Sequence, residues 1–205
     1  MDNQYDAADS ALMPRKQKFN NKHLLKRESW EWLKASLIAA IIVVLIRLFL
    51  FSPFIVEGIS MEPTLDTGER LIVNKMVYRL RQPERDEVIV FHAPEGKDYI
   101  KRVIAVAGDR VKVENDQLFI NGIEVEESYL VESERLAKNE GRSYNILNFA
   151  EDTVPENSVF VMGDNRSNSK DSRSKDVTYI PVDKIIGRAE FIFWPIPKIE
   201  FIHAK

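Results

Sequence analysis

Between Ala35 and Val56 the only polar side chains are Ser36, Arg47 and Ser52. A helix rises about 1.5 Å per residue, so one starting near Trp30 and ending near Phe51 crosses the ~30 Å hydrocarbon layer of a membrane. The run therefore predicts a transmembrane anchor over residues 30–52, preceded by a tail (1–29) and followed by one large domain (53–205). A cleavable leader is the competing reading. The long polar stretch before the run, and bulky Phe51, Pro53 and Phe54 where a small-x-small exit would stand, favour an anchor that stays. Arg15, Lys16, Lys18, Lys22, Lys26, Arg27 and Lys34 precede the segment, whereas the stretch just after it offers Arg70 and Lys75 among several acids. The positive-inside rule then keeps the N-terminus in the cytoplasm and puts the large domain outside. Arg47 sits near the outer end, where it can snorkel to the interface, and Trp30 and Trp32 fit an aromatic belt at the inner end.

The remaining chain has room for one domain of about 150 residues, near the usual size for a single core. With no cysteine, disulfides, thiolate nucleophiles and cysteine-based zinc sites are excluded. Residues 1–56 hold 8 Lys/Arg against 5 Asp/Glu, and residues 57–205 hold 21 against 27. The large domain is thus mildly acidic, which argues against nucleic acid as a partner. The tail is polar and lacks sustained periodicity, as expected of a mostly disordered segment.

Past the anchor, short apolar runs between Gly, Pro and Asn predict strands at 70–74, 87–92, 99–106, 110–113, 117–121, 158–162 and 187–194. Asn121-Gly122, set between Leu118-Phe119-Ile120 and Ile123-Glu124-Val125, predicts a two-residue hairpin because both residues accept positive φ. Residues 127–153 break the pattern with mixed charge, as an insertion with room for a helical turn would. The fold class expected is a mainly β domain behind one N-terminal transmembrane helix.

Three motifs carry the chemistry. In Gly58-Ile59-Ser60-Met61-Glu62-Pro63-Thr64-Leu65, Gly58 permits an unusual backbone path and Pro63 resists regular structure, so the turn can present the Ser60 hydroxyl. It is not a hydrolase-type nucleophile elbow, since Glu62 stands where glycine would. By itself the motif reads more readily as a solvated or capping turn. A serine nucleophile needs a base. His23 lies on the cytoplasmic side of the predicted anchor, and His92 and His203 sit in no triad motif. Lysine is the alternative, provided that burial strips it of its proton. In Tyr99-Ile100-Lys101-Arg102-Val103, strand alternation puts Lys101 on one face with Tyr99 and Val103, and Arg102 on the other. An ordinary exposed strand lysine has the same pattern. The third motif, Gly163-Asp164-Asn165-Arg166-Ser167-Asn168-Ser169-Lys170-Asp171-Ser172-Arg173, is either a solvated loop or a set of hydrogen-bonded turns with a charge-assisted Asp171–Arg173 pair. Its spacing lacks the glycine and glutamate of a calcium-binding EF-hand, so no metal is assigned.

Together, and in this order behind an apolar segment, the motifs resemble the type I signal peptidases, Ser/Lys proteases, with Gram-positive members the nearest in pattern. The resemblance implies the mainly β fold that signal peptidases share with self-cleaving repressors. It also implies Ser60 as nucleophile and Lys101 as general base and then acid. It further implies that Ser169 orients the lysine amine, that Asp164 supports the site, and that Asp171 and Arg173 hold the loop. Val56, Ile59, Met61, Leu65, Tyr99 and Ile100 are expected to line shallow substrate pockets. Gly58 occupies a substrate-contacting position where some members carry a serine that helps form the oxyanion hole; glycine there is also found among Gram-positive members, and a second oxyanion donor is not assigned. The implied substrates are preprotein signal peptides with small residues at −1 and −3. The implied setting is a bacterial plasma membrane, with the lipid bilayer and the export translocon as partners and no cofactor. A silent, membrane-tethered β-domain that binds exported chains is the rival from another class, and a self-cleaving Ser/Lys repressor is a second; the membrane segment and the want of an N-terminal DNA-binding domain oppose the latter.

Overall fold

The computed structural model describes the backbone of residues 21–202 and the side chains of residues 29–47 and 50–202. Residues 1–20 of the expected tail, with Arg15, Lys16 and Lys18, lie outside the described residues, as does His203. Residues 21–29, read from sequence as part of the disordered tail, are instead the first turns of a 29-residue helix, α1 (Asn21–Phe49). Lys, Leu, Arg and Glu favour helix, and neither Gly nor Pro interrupts the segment. Within it, Ser29–Arg47 is long and apolar enough to cross a membrane. Trp32, Leu37, Ile38 and Val43 are all more than half exposed, so no protein core accounts for their apolar character.

The helix stops short of the expected end. Leu50 N–H still donates to Ile46 O at 2.8 Å, but Phe51 and Ser52, counted in the spanning segment from sequence, begin strand β1 (Phe51–Ile55). Pro53 explains the switch, because it disfavours helical geometry at the residue before it and has no N–H to donate.

From Leu45 onward the chain folds as one unit. After β1 come β2 (Arg70–Asn74), a single turn α2 (Val77–Leu80), β3 (Val88–His92), β4 (Asp98–Val106), β5 (Arg110–Glu114), β6 (Gln117–Ile120) and β7 (Ile123–Val125). Then follow α3 (Val131–Asn139), β8 (Phe149–Thr153), β9 (Ser158–Met162), β10 (Ile180–Pro181), β11 (Ile185–Trp194) and β12 (Glu200–Phe201). One sheet runs β1-β2-β11-β3-β4-β9-β10, with β12 on β11, and the other runs β7-β6-β5-β8. All paired strands are antiparallel. The fold is thus mainly β with one N-terminal helix, as expected. Each predicted strand is found with ends displaced by no more than two residues. The Asn121-Gly122 hairpin forms, with φ of 55° and 81° and Ile120 paired to Ile123.

Ile104 and Ala105 of β4 and Phe160 and Met162 of β9 pack against Val111 and Val113 of β5 and Leu118 and Ile120 of β6, joining the two sheets. A second cluster comprises Val56, Met61, Leu65, Leu71, Val88, Ala189 and Ile192. This cluster decides how the segment between β1 and β2 is held. The segment has no regular structure, yet three of its apolar side chains are buried, each worth about 1.5–3 kcal/mol. Ser60 therefore stands on a turn pinned from below by Val56, Met61 and Leu65.

Candidate active site

Gly58 has φ +90°, a backbone conformation that favours glycine, and its carbonyl accepts from Thr67 Oγ1 at 2.9 Å. The chain then turns, Glu62 N–H donating to Ile59 O at 3.2 Å and Leu65 N–H to Met61 O at 2.9 Å. This turn holds Ser60 opposite β4. Lys101, paired with Ile89 of β3, lies at the centre of the larger sheet and is only 4% exposed. Its Nζ stands 2.7 Å from Ser60 Oγ and donates to Ile100 O at 2.9 Å. The Tyr99 ring covers it, with its centroid 5.2 Å from Nζ, and is itself set edge-on against Phe91.

Burial pulls the Lys101 amine down from 10.5 to about 8; the Asp171 and Asp164 carboxylates oppose the shift and the Arg173 guanidinium adds to it. A fraction of the amine is thus neutral near pH 7, so the pair can move a proton from a hydroxyl to an amine without a histidine. His92 is turned to solvent, where Nδ1 lies 2.7 Å from Asp98 Oδ1.

The polar loop supports this pair from behind. Asp171 is fully buried, and Arg173 grips it with Nε on Oδ1 at 2.8 Å and Nη2 on Oδ2 at 2.7 Å, while Gly163 N–H donates to Oδ2 at 3.0 Å. Burial pushes the Asp171 carboxyl up, but Arg173, the Ser169 hydroxyl and the Gly163 N–H outweigh it and hold the group below its usual value. Ser169 is 9% exposed, and its Oγ has no well-formed hydrogen bond, so the bond to the Lys101 amine expected of it is not made here. The hydroxyl lies against Gly163, near enough to Asp171 to favour its charged form.

Asp164 is tied to Arg102, whose Nε reaches Oδ1 at 2.9 Å and whose Nη2 reaches Oδ2 at 2.7 Å; Thr64 Oγ1 also donates to Oδ2. Sequence reading placed Arg102 on the face opposite Lys101 and gave it no task. The structure keeps that alternation but buries the guanidinium to 1% exposure, so a charged residue between Ile100 and Ile104 on its own strand face was the available signal. Asn165 was also passed over. Its N–H donates to Ser60 O and its Nδ2 to Ile59 O, each at 3.1 Å, tying the loop to the serine turn.

A cleft of about 640 Å³ opens beside Ser60 and Lys101. Val56, Gly58, Ile59, Met61, Tyr99 and Ile100 line it. Leu65 does not: it is fully buried in the cluster beneath the turn, one turn past Met61, with its side chain in the core. Phe54, Val90, Asn168 and Lys170 also line the cleft and were not anticipated.

The chain matches the family model "Signal peptidase, peptidase S26" over residues 29–194. It is 42% identical over 188 residues to a signal peptidase I of Bacillus amyloliquefaciens, covering 89% of this chain and 96% of the relative. It is 46% identical over 167 residues to signal peptidase I P of Bacillus subtilis subsp. natto, covering 80% and 88%. A crystal structure of a signal peptidase I from Enterococcus faecalis, 32% identical, aligns over 53% of this chain and 97% of its own with a TM-score of 0.47. A family match over most of the chain, with relatives this similar over nearly their full length, means that the chain belongs to the signal peptidases of peptidase family S26 and is a peptidase.

Proposed function

We propose that this chain is a membrane-anchored serine endopeptidase that removes signal peptides from preproteins through a Ser60/Lys101 dyad. The observation that carries the reading is the 2.7 Å approach of a buried lysine amine, which no carboxylate among the described residues contacts directly, to the hydroxyl of a turn serine. Neutral Lys101 takes the Ser60 proton as Oγ attacks the scissile carbonyl, and the resulting lysinium gives that proton to the leaving amine. The acyl ester on Ser60 is then hydrolysed by a water whose proton Lys101 accepts as the hydroxide adds, and Lys101 passes that proton to Ser60 Oγ as the ester bond breaks, which restores the neutral amine and the hydroxyl. Ser60 N–H is one donor to the oxyanion. Asp164, Asp171 and Arg173 hold the loop that backs the lysine and the turn, and Ser169 packs against Gly163 within it.

The apolar span supports anchoring in a lipid bilayer, and the excess of basic residues before it supports a cytoplasmic N-terminus with the domain outside the plasma membrane. Substrates delivered by the export translocon then meet the cleft on the outer side of the membrane. Val56, Ile59, Met61, Tyr99 and Ile100 offer apolar walls that suit small residues at −1 and −3. One methylene is worth only about 1–3 kcal/mol in such a pocket, so steric exclusion carries the selectivity, with the substrate extended along an exposed strand edge.

Incubating the purified full chain with a preprotein, and sequencing the N-termini released, tests this reading. Cleavage after the signal peptide with Ala, Gly or Ser at −1, and none with Phe, is expected. Equal cleavage of Ala and Phe at −1 contradicts the small-pocket reading, and an intact preprotein contradicts the activity.

A further inference from the structure

Residues 127–145, which follow β7, touch the polar loop through Glu127, Tyr144 and Asn145. Glu127 is 8% exposed, and its carboxylate accepts both terminal nitrogens of Arg166, itself 3% exposed. The same guanidinium donates through Nε to Gly163 O at 3.1 Å. Arg166 O in turn accepts from Arg173 Nη2 at 2.9 Å, and Tyr144 Oη donates to Asp164 O at 2.8 Å. The last three contacts fall on backbone of the loop that holds the serine turn, and Glu127 reaches that backbone through the Arg166 side chain.

That backbone has no slack toward Ser60. A Cβ at Gly163 would come within 2.4 Å of Ser60 O, and Asn165 N–H donates to the same oxygen at 3.1 Å. A shift of Gly163 or Asn165 is therefore passed to the nucleophile's own peptide. We propose that Glu127 is a positioning residue: by holding Arg166 it fixes the Gly163–Asn165 backbone that grips Ser60, so the excursion after β7 sets the alignment of the nucleophile. This rests on Ser60 being the nucleophile. It predicts a loss of rate at largely retained substrate binding, because Asn168 and Lys170 are the loop's contribution to the cleft and most of its wall comes from residues 54–61 and from β4.

The test uses the full chain in detergent micelles, with a preprotein substrate, kcat and KM measured separately, and amide hydrogen exchange followed by residue. In Glu127→Gln, kcat is expected to fall at least tenfold with KM within threefold. Asn165 N–H is expected to exchange at least tenfold faster while the amides of β5 and β6 keep their rates. Glu127→Asp, which retains the charge, recovers part of kcat. If Glu127→Gln does not fold, Arg166→Lys carries the same readings, since it keeps the charge and loses the two-pronged grip. A smaller fall in kcat, or exchange that quickens alike in the loop, β5 and β6, overturns the proposal, the latter making Glu127 a stabilising residue only. Cleavage that survives Ser60→Ala overturns the nucleophile reading and this proposal with it; parent-like rates in Glu127→Gln beside an inert Ser60→Ala overturn the proposal alone.

Discussion

Lys101 and Arg102 are adjacent on β4 and almost equally buried, yet the Arg102 guanidinium is held two-pronged by Asp164 while the Lys101 amine, among the described residues, hydrogen-bonds with the Ser60 hydroxyl and the Ile100 carbonyl and with no carboxylate. Strand alternation sends the two cations to opposite faces, and only one face supplies a carboxylate in direct contact. An arginine in this position stays charged. A lysine without such a partner gives up its proton, which is the property a general base needs.

Activity should therefore follow the free amine. We expect kcat/KM to rise with pH through about 8, where burial has brought Lys101, and to level off above it. A pH series on the parent and on His92→Ala checks this. A midpoint near ~6.5 that disappears in His92→Ala contradicts the lysine mechanism.

The same shift predicts a stability dependence. Between about pH 8 and the ordinary lysine value of 10.5 the unfolded chain binds a proton at this position that the folded chain does not, so the stability of the parent should rise with pH across that window. Below it both states are protonated, and the cost of burying the charge is fully present. Lys101→Met removes that cost, and should stabilise the protein at pH 7 by up to about 3 kcal/mol while removing the pH slope. Urea unfolding of both proteins at pH 7 and pH 10 decides the matter; a less stable Lys101→Met at pH 7 contradicts it.

Arg173→Ala leaves the Asp171 carboxylate buried without its partner, in a place with 0% exposure. Breaking such a pair costs about 3–5 kcal/mol. We expect a melting temperature many degrees below the parent together with lost cleavage. A parent-like melting curve shows that solvent reaches the loop.

Much of this was open to sequence reading, for identifiable reasons. Strands such as β2 and β9 announce themselves because apolar runs end in turn residues. β1 does not, since Phe51 and Ser52 continue the apolar run of the helix and only Pro53 marks the change. β8 is hidden by its composition, Phe149-Ala150-Glu151-Asp152-Thr153, which has one large apolar side chain. Ser60 and Lys101 were legible as motif residues. Leu65 shares a motif with Ser60 but not its surroundings, and no local pattern separates a pocket wall from the core beneath it. The Glu127–Arg166 contact joins segments far apart in sequence, which no spacing rule can register.

Gly163→Ala tests how tightly loop and serine turn are packed. The added Cβ would meet Ser169 Oγ at 2.3 Å and Ser60 O at 2.4 Å, and the latter is backbone that cannot swing away. Overpacking of this kind costs about 1–3 kcal/mol, and a displacement of ~1 Å at a reacting group can cost ~100-fold in rate. We expect kcat to fall about 100-fold with a modest loss of melting temperature; unchanged kcat would mean that the turn moves freely of the loop.

The central claim is that Ser60 and Lys101 act as one unit, and the most direct measurement is kcat/KM on a preprotein for the parent, Ser60→Ala, Lys101→Met and the double variant. Residues that work together lose their effect together. Each single variant is expected to fall by about 10⁴-fold or more, with the double variant no worse than either. A single variant within tenfold of the parent, or losses that multiply in the double variant, would contradict the account.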